Sequence, residues 1–245
     1  MSISVLTCVK GEPESLFVTF ESIKPWLSDS FKWAIKFSND ASTDFIQKFN
    51  HHNVTLHQED DSSLYLAMNQ CLRIIDSEYY FVLGAGDTLL NDGMTELYSL
   101  YTESELNSTS YFAPIYMCSS RQIFSPDPNN FRFKMACPHP GSILKVSLSL
   151  ELGGYNSSYQ IASDYEHLSK YVLKYGSGQV LNIPPLVSFA SGGMSELRGF
   201  EGVLEEELIR IRIWNDQNIA VCARILSMSS NHCRNFIDQI IPLLR

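Results

Sequence analysis

Residues 2–83 alternate between short apolar segments and amphipathic segments, and this alternation restricts the fold more than any other feature of the sequence. The apolar segments have the length of strands, and the amphipathic ones carry apolar side chains at helical spacing. Strands are predicted over residues 2–8, 31–37, 53–57 and 79–83. Helices are predicted over residues 14–27, a short stretch ending at residue 49, and residues 64–75. This order, with its short connections, predicts an α/β fold with a mostly parallel central sheet and flanking helices.

Polar residues follow three of the predicted strands, over residues 39–44, 59–63 and 84–87. The carboxyl ends of parallel strands lie along one edge of a sheet, and ligands of open α/β sheets bind there. We therefore expect these three clusters to approach one another at a binding site.

The remainder of the chain follows a different pattern. Antiparallel strands are predicted over residues 110–134, a helix over 164–175, and a last strand over 179–190 that Pro184 and Pro185 interrupt. Beyond Gly199 the chain is predicted to be helical, first with an apolar face and then as two more helices up to Arg245. That face comprises Leu204, Leu208, Ile211 and Trp214.

Composition excludes several classes of protein. The formal net charge is −9, which disfavours nucleic-acid binding because affinity for a phosphate backbone comes mainly from clustered cations. No apolar run reaches the roughly 20 residues of a membrane span, and the first residues do not form a signal peptide. The cysteines lack metal-site spacing, so we expect buried free thiols in a cytoplasmic protein. They are Cys8, Cys71, Cys118, Cys137, Cys222 and Cys233.

Asp87 directly follows the fourth strand and the segment Gly84–Gly86, where glycines allow a ligand to approach the backbone. Its carboxylate could hold Mg²⁺ or Mn²⁺ on a diphosphate, because hard cations prefer oxygen ligands. It could equally cap the helix predicted to begin near Asn91.

Two more carboxylates follow neighbouring strands. Asp40 could accept a hydrogen bond from a nucleobase or ribose, or could belong to a loop in which Ser42 and Thr43 cap a helix. Asp61, with Asp60, precedes the helix over residues 64–75, where negative charge favours the helix dipole.

Two residues of the second half could carry chemistry. His139 lies between Pro138 and Pro140, which would hold its side chain in a fixed direction, although a buried hydrogen-bonded His is an equal alternative. Asp164 begins a predicted helix, where it could cap the helix or take a proton from an acceptor hydroxyl.

The order of these segments resembles glycosyltransferase family 2, whose members are inverting enzymes with the GT-A fold, over residues 2–215. FSNDASTD is similar to the family's V-D-D/G-G-S-T-D stretch, and FVLGAGDTL to F-L-N-S-G/D-D. EDDSSLYLAMNQCL resembles E-P-D-x-G-I-Y-D-A-M-N-x-G-I of bacterial polysaccharide and colanic-acid-type members, with Tyr65, Ala67, Met68 and Asn69 in register. The segment from Cys137 to Leu168 resembles a block that contains H-Q/P, G-G-Y and D-Y-D/E.

The resemblance implies roles for individual residues. Asp40, Asn39 and Asp61 would bind the nucleotide, although Asn39 stands where many members have a further Asp. Asp87 would be the metal ligand for Mn²⁺ or Mg²⁺, with Gly84 and Gly86 at places that are acidic in many relatives. His139 would lie near the acceptor or the phosphates. The further implied residues are the general base Asp164 and a mobile segment with Gly192 and Gly193.

The resemblance also implies partners and domain limits. A GT-A domain over residues 1–198 would divide into a donor-binding half (1–105) and an acceptor half (106–198), followed by a helical extension over 199–245. The donor would be a nucleotide-diphosphate sugar, and the acceptor a glycan or lipid-linked oligosaccharide. Peripheral association with the inner face of the membrane is compatible with such an acceptor.

Three other classes of function were weighed against this one. A non-catalytic relative could bind a nucleotide or glycan as a partner subunit, which the incomplete acidic segment around Asp87 favours. A nucleotidyltransferase would need a glycine-rich, basic loop, and Val9-Lys10-Gly11 offers little of one. A dehydrogenase is disfavoured because no G-x-G-x-x-G follows the first strand.

Overall fold

A computed structural model describes residues 2–103, 106–192 and 199–214 of the chain. The two further helices predicted for the tail lie outside these residues, as do residues 193–198, and with them Gly193, of the predicted glycine-rich mobile segment. No helix among the described residues is long and apolar enough to cross a membrane.

The main sheet has seven strands in the order β10-β6-β9-β4-β1-β2-β3. Strands β1 to β4 are mutually parallel and pair in the order β4-β1-β2-β3, whereas β9 is antiparallel to β4 and β6. Their bounds are β1 Ile3–Val9, β2 Phe31–Phe37, β3 Val54–Gln58, β4 Tyr79–Val82, β6 Ser110–Phe112, β9 Ser142–Lys145 and β10 Gln179–Val180.

A second, four-stranded sheet in the order β5-β11-β7-β8 lies next to the loop that follows β4. It brings residues near position 88 beside residues near position 188, since β5 and β11 pair antiparallel. Its strands are β5 Thr88–Leu89, β7 Ile115–Met117, β8 Gln122–Phe124 and β11 Val187–Phe189.

The described helices cover the sheet, and two apolar clusters form the core. One cluster contains Leu16 and Phe20 of α1, the other Met68 of α3 and Leu168 of α6. Ile209 of α7 belongs to the second cluster. The helices are α1 Ser15–Ile23, α2 Thr43–Gln47, α3 Leu64–Ile74, α4 Asn91–Thr102, α5 Val146–Glu151, α6 Ser163–Tyr175 and α7 Gly199–Trp214.

The structure confirms the predicted α/β class, the mostly parallel central sheet and the four first strands within a residue or two at each end. Strands β1 and β2 are buried almost throughout, and parallel strands covered on both faces are near-continuous apolar runs in sequence. Their sequences therefore predicted them well.

Three predicted details were wrong. The first helix ends at Ile23 and continues as a 3₁₀ turn containing Pro25, which cannot donate a backbone hydrogen bond. The strand predicted over residues 179–190 is two strands, β10 and β11, in different sheets, with Pro184 and Pro185 between them. Cys118 is an exposed free thiol, whereas Cys71 and Cys137 are buried as expected.

Candidate active site at the carboxyl edge of the parallel sheet

Asp40 joins the loops after β1 and β2. One carboxylate oxygen accepts hydrogen bonds from the hydroxyl of Ser38 and from the backbone N–H of Gly11, the latter at 3.1 Å. The Ser38 bond, followed by the Gly11 bond, lowers the pKa of Asp40. Ser42 caps α2 by accepting from the N–H of Phe45, so the expected cap is confirmed and leaves Asp40 exposed to solvent. Its neighbour Asn39 is also exposed.

Asp61 forms an ion pair with Lys36, a partner that the sequence analysis missed. Lys36 lies near the carboxyl end of β2 and its side chain is fully buried, whereas the side chain of Asp61 is 18% exposed. Ser63, not an aspartate, caps α3 by accepting from the N–H of Leu66. The sequence did contain one signal, because a lysine between apolar residues of a buried strand needs a counter-charge.

Asp87 does not cap α4, whose N-cap is Leu90. One of its carboxylate oxygens accepts from the N–H of Gly84 at 2.8 Å, and the other from the N–H of Ala190 at 2.8 Å. The side chain is only 4% exposed, and this burial raises its pKa to about 6. Asp87 therefore fastens the end of β4 to the end of β11.

Thr19 of α1 holds the same loop from the other side. Its hydroxyl accepts from the N–H of Gly86 at 2.8 Å and donates to the backbone carbonyl of Asp87 at 2.8 Å. The loop after β4 is thus fixed to a helix and to a distant strand.

The described residues do not form a metal site around Asp87. No group of three or more His, Cys, Asp or Glu side chains is positioned to hold a cation in the part of the chain that the structure describes. Both oxygens of Asp87 already accept backbone hydrogen bonds, and the neighbouring places that could have added carboxylates hold Gly84 and Gly86. The described residues around Asp87 therefore do not provide enough ligands to hold Mn²⁺ or Mg²⁺ on their own.

Asp164 lies in the first turn of α6, whose N-cap position is held by Ala162, and its Oδ1 accepts from the N–H of the next residue, Tyr165, at 2.9 Å. Its Oδ1 also lies 3.5 Å from the hydroxyl of Tyr65 on α3. Tyr65, which belongs to the segment EDDSSLYLAMNQCL, therefore contacts the predicted base although the two residues lie in different halves of the chain.

The chain before α6 is held by Glu205 of α7, which the sequence analysis did not single out. The Glu205 carboxylate is buried and accepts from the N–H groups of Gln160, Ile161 and Ala162 at 2.8, 2.9 and 2.8 Å. A carboxylate at this place satisfies N–H groups that precede the helix and favours the helix dipole. Glu205 thus fixes the backbone that leads to Asp164.

Asn69 of α3 fixes the opposite wall of the site. Its side-chain amide donates to the carbonyl of Tyr155 at 2.6 Å and accepts from the N–H of Tyr155 at 2.8 Å. Gly154 precedes Tyr155 with φ at +71°, and a Cβ there would collide with Asn69. The glycine is required by both its conformation and this close approach.

His139 contacts the same tyrosine. Its Nε2 lies 2.9 Å from the hydroxyl of Tyr155, and burial lowers its pKa to about 4. Burial, followed by Tyr80 and then by the negative charge of Asp164, raises the pKa of Tyr155. The ring of Tyr65, whose hydroxyl lies beside Asp164, stacks against that of Tyr155 with the centroids 6.1 Å apart.

The structure thus brings the predicted residues together along one edge in two groups. Asp40 and Asp61 follow β2 and β3, whereas His139 contacts Tyr155 and Asp164 lies beside Tyr65, which stacks against Tyr155. Asp87 follows β4, which the sheet order places between β1 and β9.

Searches with this sequence matched no family model and no curated protein. The fold, however, matches solved glycosyltransferases. The structure of S. aureus TarS residues 1–349 in complex with UDP-GlcNAc aligns with a TM-score of 0.63 at 13% identity, covering 88% of this chain and 72% of that one. The mannosyltransferase PcManGT from Pyrobaculum calidifontis, in complex with GDP-Man and Mn²⁺, aligns with a TM-score of 0.57 at 12% identity, covering 98% and 79%.

The architecture is therefore the GT-A-like fold of nucleotide-sugar-dependent glycosyltransferases. At these identities the likeness establishes the fold, and the reaction has to be argued from the site.

Substitution of Glu205 by Gln tests how the backbone before Asp164 is held. A Gln places an NH₂ group against at least one of the three N–H donors, so we expect a loss of roughly 1–3 kcal/mol in the free energy of unfolding. Urea unfolding measures this loss. Glu201→Gln, at an exposed position of the same helix, is the matched control and should stay within about 0.5 kcal/mol of the parent. Equal effects of the two substitutions would show that Glu205 holds nothing.

The Lys36–Asp61 pair predicts an asymmetry between two single substitutions. Asp61→Asn leaves the buried ammonium group of Lys36 without its counter-charge and should lower the free energy of unfolding by about 3–5 kcal/mol. Lys36→Met leaves a carboxylate that water still reaches, and should cost roughly 1–3 kcal/mol.

The double variant K36M/D61N removes both charges and should be more stable than D61N alone. Urea unfolding of the three variants measures the order, and additive losses in the double variant would contradict the pairing.

Proposed function

We propose that the protein is an inverting glycosyltransferase that moves a sugar from a nucleotide-diphosphate sugar onto a hydroxyl group of a glycan or glycolipid. The observation that carries this proposal is the placement of Asp164. Its carboxylate lies on a rigidly held helix start beside Tyr65, at the sheet edge that also bears Asp40 and Asp61. Two of the fold neighbours are complexes with UDP-GlcNAc and with GDP-Man, which supports a donor of this class.

The two groups of site residues then have different roles in the reaction. Asp40 and Asp61 bind the nucleoside at the ends of β2 and β3, with Asn39 beside them. Asp164 takes the proton of the acceptor hydroxyl, and the resulting oxygen attacks the anomeric carbon. The bond to the diphosphate breaks on the opposite face, the nucleoside diphosphate leaves with the electron pair, and the product has the inverted configuration.

A divalent cation would supply charge compensation for the leaving diphosphate if the substrate itself contributed most of the ligands. The sequence prediction that Asp87 holds Mn²⁺ or Mg²⁺ has to be weighed against the two backbone hydrogen bonds that its carboxylate accepts. We therefore assign Asp87 to fastening the loop after β4.

The biological setting follows from the resemblance to family 2. We place the reaction in the synthesis of a bacterial surface polysaccharide, with a lipid-linked acceptor and peripheral contact with the inner face of the membrane. The domain limits at residues 105 and 198 belong to the same proposal.

A non-catalytic relative that binds a nucleotide or glycan is the second candidate. The observation that favours it is the loop after β4, where Gly84 and Gly86 replace acidic residues and Asp87 is engaged by backbone groups.

Nucleotide binding tests the donor site that both candidates share and names the donor class, whereas release of nucleoside diphosphate from the donor separates the two candidates. We expect one of UDP, GDP, dTDP and CMP to raise the melting temperature, because a ligand of the folded state stabilises it. A thermal-shift panel with and without Mn²⁺ measures this, with Asp87→Asn assayed in parallel. A shift that requires Mn²⁺ in the parent and is lost in Asp87→Asn would restore Asp87 as a metal ligand. Failure of all four nucleotides at saturation would contradict donor binding.

Asp164→Asn tests the proposed base. We expect kcat for release of nucleoside diphosphate from the donor to fall by roughly 10²–10⁴-fold, because the variant cannot take the proton. Donor affinity, measured by the same thermal shift, should remain within about twofold. Asp92→Asn, at an exposed first-turn position of α4, is the matched control and should keep full activity. Parallel loss of donor affinity and turnover would remove Asp164 from the role of base.

A further inference from the structure

A continuous chain of hydrogen bonds runs from His139 into the protein interior. It passes from His139 Nε2 to the hydroxyl of Tyr155 (2.9 Å), then to that of Tyr80 (3.2 Å), that of Ser149 (3.0 Å) and finally to His167 Nε2 (3.1 Å). The last four of these side chains are at most 2% exposed. Each hydroxyl has a single proton to donate, so the direction of one bond determines the next.

The direction is set at the inner end of the chain. His167 Nδ1 lies 3.0 Å from the backbone carbonyl of Gly154, and a carbonyl only accepts. Nδ1 therefore carries a proton. Burial lowers the pKa of His167 to about 3, so the ring is neutral and has no second proton. Nε2 of His167 must then accept.

The protons of the three hydroxyls follow from this. Tyr80 donates to Ser149, and Ser149 donates to His167. Tyr80 has no proton left for Tyr155, so Tyr155 donates to Tyr80. The result is the same if Tyr80 donates to His167 instead, at 3.3 Å. Tyr155 has then used its only proton, and it must accept from His139.

His139 is therefore protonated on Nε2. Burial keeps its ring neutral, with a pKa of about 4, so Nδ1 has a bare lone pair. No described residue donates a hydrogen bond to Nδ1. Nδ1 is also not one of the fully buried side-chain atoms that lack a hydrogen-bond partner among the described residues. The side chain as a whole is partly exposed. The hydrogen-bond chain thus leaves Nδ1 of His139 able to accept a hydrogen bond from a ligand.

We propose that Nδ1 of His139 accepts a hydrogen bond from a hydroxyl group of the acceptor sugar, and that Tyr155 is the positioning residue that fixes this tautomer. The substrate part rests on the proposed function. The oxygens of an ionised diphosphate have no proton to donate, so Nδ1 matches a sugar hydroxyl and not the phosphates. His139 and Asp164 would then both form hydrogen bonds with hydroxyl groups of the acceptor sugar.

The tautomer is tested without any assumption about function. Nitrogen-15 NMR of histidine-labelled protein distinguishes protonated from bare ring nitrogens, and His139→Gln identifies the signals of residue 139. We expect a proton on Nε2 and a bare Nδ1 in the parent protein, and loss of this preference in Tyr155→Phe. A bare Nε2 in the parent, or an unchanged tautomer in Tyr155→Phe, would overturn the assignment.

The substrate is tested by adding methyl glycosides of glucose, galactose, mannose and N-acetylglucosamine in the presence of the nucleotide that binds. We expect at least one glycoside to move the Nδ1 signal of His139, and none of the four nucleotides alone to do so. If a nucleotide alone moves it, or if no glycoside does at saturation, His139 does not bind the acceptor. Absence of binding by every nucleotide would count against the proposed function while leaving the tautomer result intact.

Two substitutions at position 139 separate its two nitrogens. The Gln side chain can reach the place of Nε2 and keep the contact with Tyr155, whereas the Asn side chain puts an oxygen near the place of Nδ1. We expect His139→Gln to bind the glycoside about tenfold more weakly, as for loss of one hydrogen bond, and His139→Asn to retain more of the affinity. The reverse order would show that the Tyr155 contact, and not Nδ1, matters for the acceptor.

Discussion

Backbone N–H groups at the start of helices and in tight loops need acceptors, and in this protein two buried carboxylates provide them. Glu205 accepts three such groups just before α6, and Asp87 accepts one at the end of β4 and one at the end of β11. Each joins segments that are more than forty residues apart in the chain. The carboxyl edge of the sheet is consequently rigid at the places where a substrate would be bound.

The fold was predictable from the sequence because its determinants are local. Strands β1 and β2 are buried on both faces and appear as apolar runs, and Ser42 and Ser63 cap helices as their positions suggest. The break between β10 and β11 was visible at Pro184 and Pro185, but not the assignment of the two strands to different sheets. That assignment depends on pairing with β6 and with β5 and β7, which lie far away in sequence.

The partners of the site residues were much harder to predict. Asp61, Asp87 and Asp164 were each weighed as helix-favouring residues, yet Ser63, Leu90 and Ala162 occupy the three N-cap positions. Sequence spacing shows where a carboxylate stands along its own element, not which distant group it meets. Lys36 was the exception that could have been found, since a lysine within a buried strand requires a nearby carboxylate. No comparable signal pointed to Glu205.

The histidines near Tyr155 carry no charge. Burial lowers the pKa of both His139 and His167, so both rings are neutral. In such surroundings a hydrogen bond is stronger than in water and its direction matters more. Atoms that only accept, such as Nδ1 of His139 and the carboxylate of Asp164, attract hydroxyl groups and repel phosphate oxygens. Under the proposed function, these acceptor atoms would keep the sugar acceptor and the diphosphate apart, because the nucleophile and the leaving group of an inverting displacement lie on opposite faces of the anomeric carbon.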